Sequence, residues 1–238
     1  MEATCAKVLG SSEEPLSHRL NALLFLLQHS HHERFLAFEP FLKRILLNPT
    51  EDAPLRAAVA LGLGQYGSAD VFDALASVAN DGDPQVRQCV FEALGRLNVT
   101  AAIPLLIQGL YDSHNDVFLA AAEALGQLAP ESLAALIDLL NNTAEKNDVR
   151  CIAAWQLGKA QDEHALPSLL TIIQTTLTAE KPTTDAIELT ALCVWALGEI
   201  GASQPIVHSI LAKASTHQEP AIYDRARLAL KKIARHLN

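Results

Sequence analysis

Val86-Arg87-Gln88-Cys89-Val90-Phe91-Glu92-Ala93-Leu94-Gly95 and Val149-Arg150-Cys151-Ile152-Ala153-Ala154-Trp155-Gln156-Leu157-Gly158 align without a gap, and their likeness decides the fold. A Leu-Gly pair closes both. The same pair recurs at Leu63-Gly64, Leu125-Gly126 and Leu197-Gly198, so the glycines stand 31, 31, 32 and 40 residues apart along the chain. Leu55-Arg56 opens the same pattern one block earlier. Self-similarity at a period of thirty-odd residues is the mark of a repeat architecture, and it has to be recognised before any other reading.

Each block reads as two helices. The first begins after a turn such as Asp81-Gly82-Asp83-Pro84 or Asn147-Asp148, where Asp or Asn can cap free amides and Pro84 suits the first helical position. Apolar residues then fall at three- and four-residue steps: Val86, Cys89, Val90, Ala93, Leu94, Leu97. A second helix with one apolar face follows, as in Ile103, Leu106, Ile107, Leu110. Such short pairs cannot bury an apolar face alone, so neighbouring pairs must complete the core. Small residues (Ala57, Ala58, Ala121, Ala122, Ala153, Ala154) let first helices come close. The glycine is expected to relax that packing or help end the helix.

Counting outward predicts six pairs near 16–47, 54–80, 84–111, 115–142, 147–177 and 184–215. An amphipathic helix follows over about 220–237, carrying Arg225, Lys231, Lys232 and Arg235. The expected fold is an all-α, right-handed α-solenoid, a single repeat domain over 1–238. Its degenerate N-terminal pair and C-terminal helix would cap the exposed core. The 40-residue spacing is assigned to a threonine-rich insertion, Thr175–Asp185, either a solvated loop or a partner-contact loop on one rim.

Half of the 238 residues are hydrophobic, the formal charge is −9 and the pI is near 5.4. An acidic surface argues against non-specific binding to nucleic acid or anionic lipid. Leu20–Leu27 is too short to span a bilayer, and Met1 to Gly10 lacks the apolar run of a secretion signal. Cys5, Cys89, Cys151 and Cys193 show no CxxC spacing and read as reduced thiols, three of them buried, which suits a cytoplasmic protein. The sequons at Asn98 and Asn141 would matter only in a secreted chain.

The stretches Asp83-Pro84-Gln85-Val86-Arg87, Glu92-Ala93-Leu94-Gly95-Arg96-Leu97 and Ala102-Ile103-Pro104-Leu105-Leu106 resemble the HEAT repeat family, in particular the short variant associated with phycobilisome lyases. The resemblance covers roughly 52–215. It implies a HEAT-like solenoid whose second helices line a concave face. It says little of function, since the family spans scaffolds, adaptors, lyase subunits and a few enzymes. One of those enzymes, deoxyhypusine hydroxylase, holds two irons with several repeated His-Glu pairs. This chain has one such pair, His32-Glu33, and the reversed pair Glu163-His164, so di-iron chemistry is not expected.

Other candidate chemistry yields to plainer readings. Gly62-Leu63-Gly64-Gln65-Tyr66-Gly67 matches GxGxxG, yet it sits at a helix end on the repeat glycine and not between a strand and a helix. His29, His31 and His32 beside Glu33 make a polar turn with no second liganding segment. No GxSxG is present, and no cysteine has an electropositive setting. The recurrent arginine at Arg56, Arg87 and Arg150 is expected to brace repeats against loop carboxylates such as Asp83 or Asp116, for about 0–1 kcal/mol if exposed.

A binding surface remains. Aligning Leu75, Leu106, Leu136 and Leu169 places Ser77, Gln108, Asp138 and Thr171 in one outward row, with Asn80, Tyr111, Asn141 and Gln174 three residues on. Trp155 and Trp195, each three residues before a repeat glycine, are possible anchors or inter-helix packing. The expected role is a non-enzymatic scaffold or adaptor for another protein or peptide. Its partner-binding candidates are Gln108, Tyr111, Asp112, Asp138, Asn141, Gln174, Trp155 and Trp195. No catalytic residue, metal, cofactor, nucleic acid or membrane insertion is expected. The alternatives are a bilin lyase subunit or chromophore-protein chaperone, which the resemblance alone implies, and a structural subunit of a larger complex.

Overall fold

Every expected helix pair forms. The computed structural model describes residues 2–29, 32–201 and 204–236, and among these are fourteen α-helices, three short 3-10 turns and no strand. The helices are α1 Glu2–Gly10, α2 Leu16–His29, α3 His32–Leu47, α4 Ala53–Tyr66, α5 Phe72–Ser77, α6 Pro84–Leu97 and α7 Ile103–Gly109. They continue with α8 Asn115–Gln127, α9 Leu133–Asn141, α10 Asn147–Ala160, α11 Leu166–Thr178, α12 Thr184–Ile200, α13 Pro205–Ala214 and α14 Pro220–His236. The architecture is an all-α solenoid of helix pairs. Two units divide the chain, Met1–Leu128 and Ala129–Asn238.

In the first unit, α4 packs beside α6 and α6 beside α8; in the second, α10 packs beside α12 and α12 beside α14. Except for α14, the capping helix, these are the first helices of successive pairs, and the repeat glycine lies where they touch. A Cβ on Gly64 would stand 2.4 Å from Ala93 Cα, and one on Gly95 would stand 2.9 Å from Ala124 Cα. The second unit repeats the contact: Gly158 against Ala196 Cα and Gly198 against Ala229 Cα, both at 2.9 Å. The glycine therefore works by close approach. It sits inside each first helix and does not end it. Interiors packed at crystal-like density leave no room there for a methyl group.

The second helices pack on this row and bury Leu75 and Leu106 in the first unit and Leu136, Leu140, Leu169 and Ile173 in the second. α14 buries Ile222, Ala226, Ala229 and Ile233 and packs on α12 and α13, while Leu228 stays exposed.

Three local expectations are corrected. The threonine-rich insertion is mostly helix: α11 runs through Thr178, and only residues 179–183 connect it to α12. Thr171, Thr175 and Thr178 each donate a hydroxyl to the carbonyl four residues back (2.8–2.9 Å), so the run satisfies itself within the helix. The longer spacing arises because α12 has 17 residues and α11 has 13, against 14 and 7 in α6 and α7. Second, capping is uneven. Asp83 accepts bonds from Gln85 N (2.8 Å) and Val86 N (3.3 Å), but Asn147 is itself the first residue of α10 and donates to Glu188 at 3.3 Å. Third, α1 was not foreseen. It lies on α2, and buried Arg19 donates Nε to Leu9 O at 2.9 Å.

Candidate functional site

The recurrent arginine does brace the repeats, but with other partners than expected. Arg56 forms a two-pronged bond to Asp81, and Arg87 to Asp112 at 2.7 and 2.9 Å. Each acid stands 25 residues after its arginine, just past the second helix of the same pair. Arg87 also donates to Asp81 O at 2.8 Å, which ties one pair to the next. Asp83 is taken up by its capping role, and Asp116 lies in the first turn of α8. Near the chain start, Arg19 forms an equivalent ion pair with Glu51 at 2.7 Å.

The electrostatics follow from this geometry. The Arg87 guanidinium, outweighing burial, holds the Asp112 carboxyl down to about 2, and the His114 amide adds to the effect. Burial pushes the Asp81 carboxyl up, yet bonds from Arg56 and the Asp83 amide outweigh it and leave the group below the ordinary carboxylate range. Glu39 behaves alike: burial is overcome by Lys43 at 2.8 Å and by the amide and hydroxyl of Ser68. Asp112, with a side chain only 13% exposed, is thus drawn into the scaffold.

The two polar rows are open to solvent. In the first unit Ser77, Asn80, Gln108 and Tyr111 are exposed, Tyr111 by 40%, and Gln108 Nε2 donates to Asn80 Oδ1 at 3.3 Å across adjacent repeats. In the second unit Asp138, Asn141, Thr171 and Gln174 are exposed. Trp155 and Trp195 are both half-buried. Lys159 Nζ stands over the Trp155 ring at 4.4 Å from its centre, and the Trp195 ring edge closes on Gly158. Packing thus occupies part of each indole.

Reactive arrangements can be judged by geometry. Asp112, Ser113 and His114 mimic a catalytic triad, but serine and aspartate both approach Nδ1 of the ring (3.1 and 3.3 Å). A proton relay needs the two partners on opposite ring nitrogens. Burial, with Glu92 nearby, pushes the Cys89 thiol up to about 11; burial, with Glu188 nearby, pushes Cys151 up to about 12; burial also raises Cys193. Thiols so held stay protonated at neutral pH and are poor nucleophiles. Gly62 and Gly64 of the GxGxxG match pack against Leu27 and Ala93 inside α4. Among the described residues no group of three or more His, Cys, Asp or Glu could hold a metal ion, and no helix is long and apolar enough to cross a membrane. His31 lies outside the described residues, as do the side chains of His32 and Glu33.

A search of curated proteins finds no significant match. Solved structures share the fold at low identity. The phycocyanin lyase complex of CpcE and CpcF from Nostoc sp. PCC7120 is 21% identical with a TM-score of 0.52, covering 99% of this chain and 94% of that one. YibA of E. coli is 19% identical with a TM-score of 0.58, covering 98% and 81%. The karyopherin Kap121p, solved with the extreme C-terminus of the protein phosphatase Cdc14p, is 14% identical with a TM-score of 0.60. The match covers 98% of this chain but 29% of the karyopherin. The profile of the HEAT repeats matches residues 39–126 and again 103–181, together more than half of the sequence. With the glycine period and the paired helices, that match shows that the chain belongs to the HEAT repeat family.

Proposed function

We propose that this protein is a non-enzymatic binding scaffold or adaptor that engages another protein or peptide along its second helices. The observation that carries this reading is the separation of roles on those helices. Leu75, Leu106, Leu136 and Leu169 are buried, while the positions two and five residues on are polar and exposed in every repeat aligned. Gln108 and Tyr111 are the contact residues of the first unit, and Asp138, Asn141 and Gln174 those of the second. Side chains of this kind, adaptable amides with one aromatic, suit recognition of an extended chain. Asp112 acts indirectly, because its bond to Arg87 sets the turn that follows Tyr111. Trp155 and Trp195 present only their free faces. A karyopherin of similar fold holds the C-terminus of another protein, and that use of the architecture is the one carried over here.

The two units are taken as one repeat domain over 1–238. The glycine period runs through Gly95, Gly126 and Gly158 at 31 and 32 residues, and the second profile match spans the boundary between the units.

The test begins with affinity purification from the native host and identification of the captured partner by mass spectrometry. Titration of that partner against Tyr111→Ala with Asn141→Ala should show binding weaker by more than about 1 kcal/mol with little change in melting temperature. Unchanged affinity would remove the second-helix surface from the account.

A further inference from the structure

Within the second unit, a cavity of about 410 Å³ lies between α10, α11 and the first turns of α12. Arg150 lines it, and Arg150 holds the register position of Arg56 and Arg87, eight residues before the repeat glycine. In the earlier repeats the residue 25 positions later is Asp81 or Asp112, and it closes on the arginine. Here that residue is Thr175. Thr175 also lines the cavity, and its hydroxyl is already donated to Thr171 O at 2.8 Å. Arg150 donates Nε to Leu140 O at 3.0 Å, and no acidic side chain among the described residues pairs with it. The repeat has kept its cation, lost the matching anion, and opened a space where that anion would stand.

We propose that this cavity receives a single carboxylate, the side chain of an Asp or Glu on a partner peptide, bound by Arg150 in place of the missing aspartate. Guanidinium and carboxylate match in a fork, and charge-assisted bonds of this kind are about twice as strong as neutral ones. Glu145 and Asp185 also line the cavity. Their charge opposes a dianion such as phosphate more than a monoanion seated on the guanidinium. The volume exceeds a carboxylate alone and admits the adjoining backbone, for which the Asn141 amide offers both a donor and an acceptor. The site goes beyond the polar rows, with which it shares Asn141 and Thr171, and it stands on Arg150 and Thr175, which those rows do not contain.

The full chain, isotope-labelled, is titrated with three probes: acetyl-Glu-amide, acetyl-Gln-amide and inorganic phosphate. The readout is the Arg150 Nε–Hε signal and the amides of α10 and α11. The glutamate probe should give saturable shifts at about millimolar concentration, as fits a single contact, and the glutamine probe should bind at least about fivefold more weakly. Arg150→Gln should abolish the shifts. Thr175→Asp should abolish them as well, because it restores an internal carboxylate while keeping Arg150, and it covers the case in which the first variant fails to fold. Equal binding of the two peptide probes, tighter binding of phosphate, unaltered binding by Thr175→Asp, or no saturable shift with the glutamate probe would each overturn the proposal. Tyr111 and Gln108 are untouched in these variants, so failure here leaves the polar-row reading standing.

Discussion

The two units share one device and differ in another. Both bring successive first helices together through a glycine against an alanine, at Gly64 and Gly95 in the first and at Gly158 and Gly198 in the second. In the first unit, Arg56 and Arg87 close on acids of their own repeat. In the second, Arg150 faces a cavity, and the same register position one repeat later is Thr190, which donates to Thr176 at 2.7 Å in a buried hydroxyl pair. Contact between the first helices is thus what the repeat cannot vary. The charged brace is optional: where it lapses, a polar cavity stands beside Arg150 and a buried hydroxyl pair takes its place at Thr190.

The shared device predicts equal damage in either unit. Gly64→Val and Gly158→Val should each lower the unfolding free energy by about 3 kcal/mol or more in urea titrations, since the new side chain meets a neighbouring helix backbone. Gly82→Ala, where a Cβ would meet nothing within 4 Å, is the control and should change little. A glycine that tolerated valine in one unit alone would break the parallel.

The brace predicts a difference. Asp112→Ala leaves the Arg87 guanidinium without its acid and should cost about 2–3 kcal/mol, less than a fully buried pair. Arg150→Gln breaks no ion pair and should cost less. The pH dependence follows with its sign. Asp112 titrates near 2 when folded and near the ordinary value of about 3.9 when unfolded, so its contribution is complete above about pH 4 and is lost as pH falls toward 2. The loss is about 2 kcal/mol, and Asp112→Asn should flatten the acid limb of the stability profile. The smallest effect is a gain: Thr175→Asp should stabilise the fold by about 1 kcal/mol by extending the brace into the second unit.

Much of this architecture was legible before any coordinates. The Leu-Gly period marks the five regular pairs, because stacked helices must meet at a fixed place in each repeat; the first pair, 16–47, lacks the glycine and follows only by counting outward. The partners of the arginines are not legible in the same way. The sequence offers acids in the turn before the helix, where Asp83 is needed for the cap, whereas the pairing acid stands just past the second helix. Asp112 therefore reads from sequence as a surface residue. The register of Leu75 and Leu106 already put Asp81 and Asp112 six residues on, and the same step from Leu169 reaches Thr175. The absent charge was therefore visible in the sequence, but the cavity beside it was not, since volume depends on how α11 and α12 lengthen. The α11 extension itself was hidden by threonine, which reads as a loop former until its hydroxyls are found bonded back along the helix.

The most direct test of the stacking is a set of proton distances across the helix contacts. The account predicts strong nuclear Overhauser effects from the α-protons of Gly64, Gly95, Gly158 and Gly198 to the methyl groups of Ala93, Ala124, Ala196 and Ala229 respectively. Absence of these effects in a well-assigned spectrum, at any of the four contacts, would contradict it.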